Sequence, residues 1–334
     1  MQVMKTKFLL LAPIAALSLS ACSLTGVRHE ISEYVLTHEK VDMTGKSEFR
    51  ILQLTDLHLG DKCNVDLQLK FTDLTVNEAS ADMIIVTGDL FTFASKTTAL
   101  KLFDYLDSKE VPWTVTFGNH DEQCYFSVDW LTDTLNNYGS YCVFKDIQND
   151  DVHGNANFAI NLTKDGSVFE QIIVMDSNRY YFGSYFGYDF FKPDQIEWYQ
   201  RLMEYNKTQN GGSPIKSTMW YHIPLPEIDD AYEYGVANDC IEYGEKREKT
   251  CPPEYNSGFF EVIKQEASTR AMFFGHDHIN DFRVTYQGVT FCYGIKGNDQ
   301  VYYDDDMMGG QVISIHDDHS LTYQQYLHTY AEVK

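Results

Sequence analysis

The sequence predicts an α/β fold in which two packed β-sheets carry helices on their outer faces. Short apolar, β-branched runs repeatedly stop at a glycine or an aspartate, which is typical of a buried strand that ends in a loop. The intervals from Asp56 to Asp89 and from Asp89 to Asn119 each match the length of a βαβ unit. The last third of the chain consists mostly of short strand patterns.

The predicted elements run from helices early in the chain, through a mixed middle, to strands late. The predicted strands cover 34–41, 49–55, 83–87, 111–117, 158–161, 171–175, 218–221, 271–274, 282–286, 289–293, 312–316 and 320–326. The predicted helices cover 67–79, 96–108, 127–138 and 193–204, the last with a proline near its start. No linker marks a second domain, so we predict a single domain over residues 34–334.

Five polar clusters each directly follow an apolar run. Because ligands of open α/β sheets bind at the carboxyl ends of the strands, we expect these clusters to meet at one edge. The clusters are Asp56-Leu57-His58, Gly88-Asp89, Gly118-Asn119-His120-Asp121, His222 and Gly275-His276-Asp277-His278. From them we predict seven metal ligands: Asp56, His58, Asp89, Asn119, His222, His276 and His278.

The ligand types indicate which metals this edge would bind. Carboxylate and imidazole ligands suit divalent zinc, manganese and iron, the set does not separate these from magnesium, and the lack of cysteine argues against a thiolate site. Seven ligands exceed the need of one tetrahedral ion but suit two ions that share a carboxylate. Two ions about 3.5–4 Å apart clamp the oxygens of a phosphoryl transfer and make hydroxide available near neutral pH. His120 need not be a ligand and is free to contact a substrate oxygen.

Each cluster alone also has an ordinary structural interpretation. An Asp-x-His sequence is usually a loop, and Gly-Asn-His-Asp suits a turn because glycine and asparagine tolerate positive φ. Gly-His-Asp-His is more informative, since histidines at i and i+2 of an extended segment face the same way. Five of the eleven histidines lie in these clusters after strand patterns, and this conjunction favours a metal site.

The composition, 43% hydrophobic with a formal net charge of −23, fits a globular domain and excludes some partners. So negative a chain has no nonspecific basic surface for nucleic acids, and its folded part is not expected to adhere to anionic membranes. Most of the charge is explained by solubility, and bound cations would offset part of it at the clustered aspartates. Nothing in the sequence indicates an obligate protein partner.

The N-terminus has the pattern of a bacterial export signal. Lys5 and Lys7 precede an apolar stretch over 8–19, which is too short for a comfortable membrane span of about 20 residues. The sequence Leu19-Ser20-Ala21-Cys22 resembles a lipobox, which predicts a signal peptide over 1–21, a lipidated Cys22 and a tether over 22–33. The protein would then be exported and anchored to a bacterial cell membrane on its extracytoplasmic side. The alternative is an ordinary signal peptide cleaved near Ala21.

Six cysteines remain after Cys22, and an oxidising compartment would permit three disulfides. Cys240 and Cys251 flank a polar loop and are the pair we would expect first. The alternative is that several of the six are buried free thiols.

The ordered clusters from Asp56 to His278 resemble the calcineurin-type metallophosphoesterase superfamily. The resemblance implies a four-layer α/β/β/α sandwich with two mixed central sheets, a dinuclear site at the strand ends and hydrolysis of phosphate-ester substrates. It assigns one ion to Asp56, His58, Asp89 and His278, and the second to Asp89, Asn119, His222 and His276. His120 would contact the phosphate and protonate or stabilise the leaving oxygen, and Asp121 would orient His120.

Longer stretches over 222–227, 254–260 and 275–282 narrow the resemblance to purple-acid-phosphatase-related proteins of plants, fungi and bacteria. True purple enzymes carry a tyrosine three residues after the bridging aspartate, where this chain has Thr92, and they lack a histidine at the position of His58. A purple ferric site is therefore not expected, and the identity of the metals stays open.

Two other classes of function compete with a phosphoesterase. A metal-binding surface protein of the same fold with little turnover would typically lack His120 or a bridging ligand, and both are present. A surface adhesin would draw on the 23 tyrosines and 21 phenylalanines, although aromatic richness more often serves packing. Residues 228–253, acidic and expected to be loop-rich, could overhang the site, and residues 294–310, with Lys296, Tyr302, Tyr303 and the acidic run 304–306, could line it. Neither segment distinguishes phosphomonoesters from diesters, nucleotides or phospholipid headgroups.

Overall fold

A computed structural model describes residues 29–148, 151–184 and 186–333 and contains two large mixed sheets and one small hairpin. The strands are β1 (Val35–Asp42), β2 (Glu48–Leu54), β3 (Met83–Thr87), β4 (Trp113–Thr116), β5 (Phe158–Lys164), β6 (Ser167–Val174), β7 (Tyr180–Phe182), β8 (Phe186–Tyr188), β9 (Ser217–Trp220), β10 (Ile241–Tyr243), β11 (Thr269–Phe274), β12 (Arg283–Tyr286), β13 (Val289–Tyr293), β14 (Gly309–His316) and β15 (Leu321–Leu327). The α-helices are α1 (Val65–Ala79), α2 (Lys96–Asp107), α3 (Val128–Asn136), α4 (Pro193–Gln209), α5 (Ile228–Ala237) and α6 (Phe259–Glu266). The predicted two-sheet α/β arrangement is confirmed.

The five-stranded sheet has the order β15-β14-β2-β3-β4. Its strands β2, β3 and β4 are parallel, and β14 pairs antiparallel with both β2 and β15. Leu54 of β2 pairs with Val86 of β3, and Val86 is adjacent to Val115 of β4, so the three carboxyl ends lie side by side. The first three polar clusters follow these three ends.

The eight-stranded sheet has the order β1-β5-β6-β9-β11-β13-β12-β10. Strands β6, β9, β11 and β13 run parallel, whereas β5–β6, β12–β13 and β10–β12 are antiparallel pairs. Trp220 of β9 pairs with Phe273 of β11, which places the fourth and fifth polar clusters beside each other.

Alternate residues of the central strands serve two different cores. Along β11, Ala271 and Phe273 pack in the core shared with the five-stranded sheet, whereas Met272 and Phe274 pack in the core with residues of α4 and α6. This alternation follows from the two-residue period of a strand. The layers are therefore helices α1 to α3, the five-stranded sheet, the eight-stranded sheet and helices α4 to α6, as the four-layer prediction requires.

The structure contains elements that the sequence pattern did not predict, namely α5, α6, β10 and the hairpin β7–β8. The prediction that residues 228–253 are loop-rich is wrong for Ile228–Ala237, which form helix α5. Ile228 and Ala231 anchor this helix because their side chains are fully buried. Asp229 and Asp230 lie in the first turn of α5, where carboxylates interact favourably with the helix dipole. Helix α4 also extends to Gln209, beyond its predicted end at residue 204.

The predicted signal peptide, the lipidated Cys22 and the tether up to residue 28 lie outside the described residues. The remainder of the predicted tether is structured, because Ile31 and Tyr34 are buried in a 3-10 helix over Ile31–Tyr34. Tyr34 packs edge-on against Trp198 of α4, so the folded body begins a few residues before residue 34. Within the described ranges, no helix combines the length and apolarity that a membrane crossing requires.

All six described cysteines carry free thiols, so the disulfide expected between Cys240 and Cys251 is wrong. Polar contacts hold the intervening loop instead. The backbone N–H of Cys251 donates to Asp277 Oδ2, and that of Arg247 donates to Asn280 Oδ1. Burial, followed by the neighbouring Asp277, raises the pKa of the Cys251 thiol to about 11, which keeps it protonated.

Candidate metal centre

The five polar clusters meet where the carboxyl ends of the two sheets come together. The loops after β2, β3 and β4 and those after β9 and β11 supply the seven predicted ligands, and none of these residues is more than 7% exposed. The side chains form two groups, and within each group the ligand atoms all lie within 4.8 Å of one another. Asp89 belongs to both groups. One group is Asp56, His58, Asp89 and His278, and the other is Asp89, His222 and His276.

Asp89 joins the two groups through one carboxylate oxygen. Its Oδ2 lies 3.6 Å from His58 Nε2 and 3.2 Å from His222 Nε2. Its Oδ1 accepts a hydrogen bond of 2.8 Å from the backbone N–H of His120. The first oxygen is therefore placed between the two groups, while the second holds the loop that carries His120.

Asp56 has a similar division of roles. Its Oδ2 accepts hydrogen bonds from Thr55 Oγ1 at 2.8 Å and from the backbone N–H of His276 at 3.1 Å. Its Oδ1 faces the imidazoles, at 3.4 Å from His278 Nε2 and 3.8 Å from His58 Nε2. One oxygen thus fixes the loop and the other is available to an ion.

The Nδ1 atoms of three histidines are held by neighbouring oxygens. His222 Nδ1 donates to Thr87 O at 2.8 Å, and His278 Nδ1 donates to Tyr302 O at 2.7 Å. A carbonyl oxygen only accepts, so Nδ1 carries a proton in both rings and Nε2 is the nitrogen that faces the cluster. His58 Nδ1 lies 2.8 Å from the hydroxyl of Thr92, the residue that replaces the tyrosine of purple enzymes. Contacts of this kind commonly fix the ring orientation and tautomer of metal-binding histidines.

Several buried donor atoms of the cluster are left without a partner. His222 Nε2, His276 Nε2 and Asn119 Oδ1 have no hydrogen bond among the described residues. His58 Nε2 and His278 Nε2 lie 3.0 Å apart, although at most one of them can donate to the other. Unpaired buried polar atoms cost about 1–3 kcal/mol each, which ion binding would relieve. The donor set therefore fits metal ions, and Asn119 Oδ1 stays a predicted ligand of the second group.

Charge states in the cluster also suit cation binding. Burial lowers the pKa of His58 well below its ordinary value and that of His276 to about 3, so both imidazoles are neutral. Burial opposes a charge on His222, but Asp89 and Asp56 raise its pKa to about 10. A proton and an ion therefore compete for His222 Nε2. Burial likewise disfavours the charge of Asp89, yet the adjacent His222 holds the pKa of this carboxyl well below its usual range.

The ligand loops adopt strained backbone conformations. Asp56, His58, Asp89 and His276 have φ values of 53°, 45°, 48° and 80°, in the left-handed region. Each such residue costs roughly 1–3 kcal/mol, and surrounding contacts must offset that cost. Lys296 Nζ donates to Asp56 O at 2.6 Å, and Asn298 Nδ2 donates to Leu57 O at 2.7 Å. These two hydrogen bonds hold the backbone of the loop after β2.

Glycines in the clusters allow this close packing. A Cβ on Gly88 would lie 2.6 Å from the ring of His222, and one on Gly118 would overlap Asp89 Oδ1. A Cβ on Gly275 would overlap Thr55 Oγ1. The glycines of the Gly-Asp, Gly-Asn-His-Asp and Gly-His-Asp-His clusters are therefore required by the approach of neighbouring ligand loops.

His120 lies beside the first ligand group, with its ring 4.9 Å from that of His58. Its Nδ1 lies 2.9 Å from Gln123 Oε1, an acceptor, which leaves Nε2 free for a substrate oxygen. The predicted role of Asp121, to orient His120, stays a prediction. Both of its carboxylate oxygens accept backbone N–H groups, from Phe91 at 2.9 Å and from Gly118 at 2.7 Å, so Asp121 holds the loop. The side chain that contacts His120 Nδ1 is that of Gln123.

The hairpin β7–β8 forms one wall of the site and was not predicted. The hydroxyl of Tyr180 accepts a hydrogen bond of 3.0 Å from Asn119 Nδ2, and Gln123 Nε2 lies 3.4 Å from the same hydroxyl. The ring of Tyr188 stands perpendicular to that of His276, with centroids 4.2 Å apart. Two short aromatic runs, 180–182 and 185–188, separated by Gly183 and Ser184, are the sequence signal that could have revealed this hairpin.

The segment 294–310 was predicted to line the site, but only part of it does so. Lys296 is 1% exposed and lies beneath Asp56, where burial lowers the pKa of its ammonium group to about 8. Tyr302 stacks on His278 at 4.1 Å between ring centroids. Asp304 and Asp306 pair with Arg247. Only the part around Tyr302 therefore borders the metal centre in the way that was expected.

Two packed mixed sheets with buried aspartates and histidines at their joined carboxyl ends form the arrangement that the resemblance to metallophosphoesterases implies. The pattern of the calcineurin-like phosphoesterase family matches residues 49–280, more than half of the chain, and the protein belongs to that family. This establishes the family proposed from the sequence and confirms its fold.

Relatives agree with this membership, and solved structures share the fold. The chain is 28% identical to the probable inactive purple acid phosphatase 29 of Arabidopsis thaliana, over 76% of this chain and 73% of that protein. It is 26% identical to the phosphatase DCR2 of Saccharomyces cerevisiae, over 78% of this chain and 50% of that protein. A dimetal phosphatase from Danio rerio shares the fold at a TM-score of 0.52 and 13% identity, covering 83% of this chain and 99% of its own. GAP50, the anchor in the inner membrane complex of Plasmodium, has a TM-score of 0.53 at 11% identity, covering 85% and 89%.

Proposed function

We propose that the protein is a dinuclear metal-dependent phosphoesterase that hydrolyses phosphate esters. The observation that carries the proposal is the pair of ligand groups sharing Asp89 Oδ2, with partnerless donor atoms on His222, His276 and Asn119. A single-ion site would not need a carboxylate placed between two sets of imidazoles. Family membership supports hydrolase chemistry in general.

The chain's own residues would divide the work as follows. Asp56, His58, Asp89 and His278 would hold one ion, and Asp89, Asn119, His222 and His276 the other. Bound there, the ions would supply a hydroxide nucleophile near neutral pH and neutralise charge on the phosphate oxygens. His120, with Nδ1 held by Gln123, would present Nε2 to the phosphate and donate a proton to the leaving oxygen.

A metal-binding protein with little or no turnover is the alternative. Two observations favour it: some relatives are named as inactive, and GAP50, of similar fold, is named as an anchor. The presence of His120 at a strained, buried ligand cluster supports the enzyme instead, because an anchor needs neither.

A substrate panel on the metal-reconstituted soluble domain separates these functions. We expect hydrolysis of p-nitrophenyl phosphate or of bis-p-nitrophenyl phosphate, and the ratio of the two rates assigns monoester or diester preference. Chelation should abolish the activity, and re-addition of manganese, zinc, iron or magnesium should restore it to different extents. Metal-loaded protein that hydrolyses neither ester, with two ions bound, would establish the alternative.

We also propose that the enzyme acts outside the cytoplasm, attached to a bacterial membrane through lipidated Cys22. The proposal rests on the lipobox-like sequence alone. Cys22→Ala should move the protein from the membrane fraction to soluble or unprocessed forms, because acyl chains contribute about 0.8 kcal/mol per buried methylene. Fractionation after a salt wash measures this. A variant that still sediments with membranes would place the anchor elsewhere.

A further inference from the structure

One face of the hairpin β7–β8 presents four aromatic rings in a row that begins at the metal centre. Tyr180 pairs across the hairpin with Tyr188, and Phe182 pairs with Phe186. Because residues i and i+2 of a strand lie on the same face, these four rings share one face. We call them the aromatic face.

The inner pair of rings touches the ligand cluster. Tyr180 accepts a hydrogen bond from Asn119, and the Tyr188 ring stands against that of His276. The outer pair lies two residues farther along each strand, or about 7 Å from the inner pair. Phe186 stacks on Tyr180 at 6.0 Å with an interplanar angle of 13°, so the row is continuous from the site outwards.

The outer rings are exposed to a degree that folding does not explain. Phe182 is 78% exposed and Phe186 is 71% exposed, the two highest values among the large hydrophobic residues in the described part of the chain. Exposed apolar surface of this kind, next to a polar centre, commonly marks a binding site. Because the inner rings contact ligand residues, the organic part of an ester whose phosphate lies at the metals would extend along this row of rings.

Charge beside the aromatic face restricts what that organic part can be. Tyr180 also borders an open cavity of about 730 Å³ whose lining carries one guanidinium, that of Arg179, and six carboxylates. The carboxylates are Glu122, Asp129, Asp133, Asp176, Asp189 and Asp194. Arg179 pairs with Glu122 and Lys192 pairs with Asp189, yet carboxylates still outnumber cations beside Tyr180. A leaving group with additional negative charge is therefore disfavoured next to Tyr180 relative to an uncharged ring.

We propose that the aromatic face is a substrate subsite that binds an uncharged planar aromatic group of a phosphate ester. The inference rests on the proposed function, because it requires the phosphate at the metal centre. Stacking of a planar ring on an aromatic side chain commonly raises affinity by about 5–150-fold. The subsite thus selects aryl esters over small alkyl esters of the same charge.

Calorimetric titration of the metal-loaded protein with non-hydrolysable phosphonates tests the subsite without turnover. Phenylphosphonate should bind about tenfold more tightly than methylphosphonate, and 4-carboxyphenylphosphonate should lose most of that advantage. The double variant Phe182→Ser/Phe186→Ser should bind methylphosphonate as the wild type does and bind phenylphosphonate no more than about twofold better. Tyr243→Ser, a change at a 48% exposed aromatic residue in the edge strand β10, is the matched control and should retain the full preference.

The outcomes separate this inference from the proposed function. Equal binding of the two phosphonates by the wild type, or a preference that survives the double variant, would overturn the subsite and leave the phosphoesterase standing. No binding of either phosphonate to protein with two ions would overturn both. Sedimentation of the anchor-free domain with phosphatidylcholine vesicles that depends on Phe182 and Phe186 would assign the face to a membrane and overturn the subsite.

Discussion

Replacing Asp89 by Ala should lower kcat/KM by about 10⁴-fold or more, a larger loss than removal of any single histidine ligand. Asp89 Oδ2 faces both His58 and His222, so its loss weakens the binding of both ions at once. Ion clamps supply several kcal/mol of transition-state stabilisation, and each loss of about 1.4 kcal/mol lowers the rate tenfold. Asp89 Oδ1 also holds the loop of His120, which the same substitution releases.

Elemental analysis and kinetics together measure this effect. The wild type should contain two ions per chain and the variant fewer. Asp89→Asn removes the negative charge but keeps a side chain of the same size, with an oxygen that can accept the N–H of His120. This variant therefore measures the effect of the charge apart from the effect of losing the loop contact. Asp66→Asn, at an exposed position in the first turn of α1, makes the same charge change outside the site and should leave activity intact. Fully active wild-type protein with one ion or none would contradict the dinuclear assignment.

Replacing His120 by Ala should slow turnover by roughly 10²–10⁴-fold while both ions stay bound. His120 contributes only its backbone N–H to Asp89, and its ring is held by Gln123 outside the two ligand groups. The loss should be largest for esters with poor, high-pKa leaving groups, because these need a proton as the P–O bond breaks. Activated nitrophenyl esters should be affected less.

A series of leaving groups, measured with the metal content of each variant, checks this role. Gln123→Leu should reproduce part of the leaving-group dependence, since it frees the imidazole without removing it. Gln123→Glu, which keeps an acceptor for Nδ1, should restore much of the rate. An equal slowing for all leaving groups would instead assign phosphate positioning to His120, and loss of an ion would require new ligand assignments around Asn119.

The ligand set could be predicted because its causes are local. Strands β2, β3, β4, β9 and β11 are short apolar runs that end at the predicted clusters, and parallel strand ends necessarily meet. The convergence of Asp56 with His278 across the two sheets was accessible only through the order of the clusters, because these residues lie far apart in the chain. Sequence spacing alone does not indicate how two sheets pack.

Other features depended on backbone geometry that the pattern does not encode. Asp121–Gln123 form a 3-10 turn directly after His120, and side chains at i and i+3 eclipse in such a turn. That geometry brings Gln123 to the imidazole and directs Asp121 to backbone N–H groups, a placement that the sequence pattern did not indicate. Helix α5 was missed because its buried residues are few and its polar residues resemble those of a loop.

The division of the ligands between the sheets also has a consequence for assembly. Asp56, His58, Asp89 and Asn119 follow strands of one sheet, while His222, His276 and His278 follow strands of the other. Neither sheet supplies the complete set of proposed ligands, so the full affinity for the proposed ions should arise only after the two sheets pack together. By linkage, the free energy of ion binding then adds to the free energy of folding and resists separation of the sheets. The bonds between the proposed ions and their ligands would thus serve both the reaction and the stability of the packed sheets.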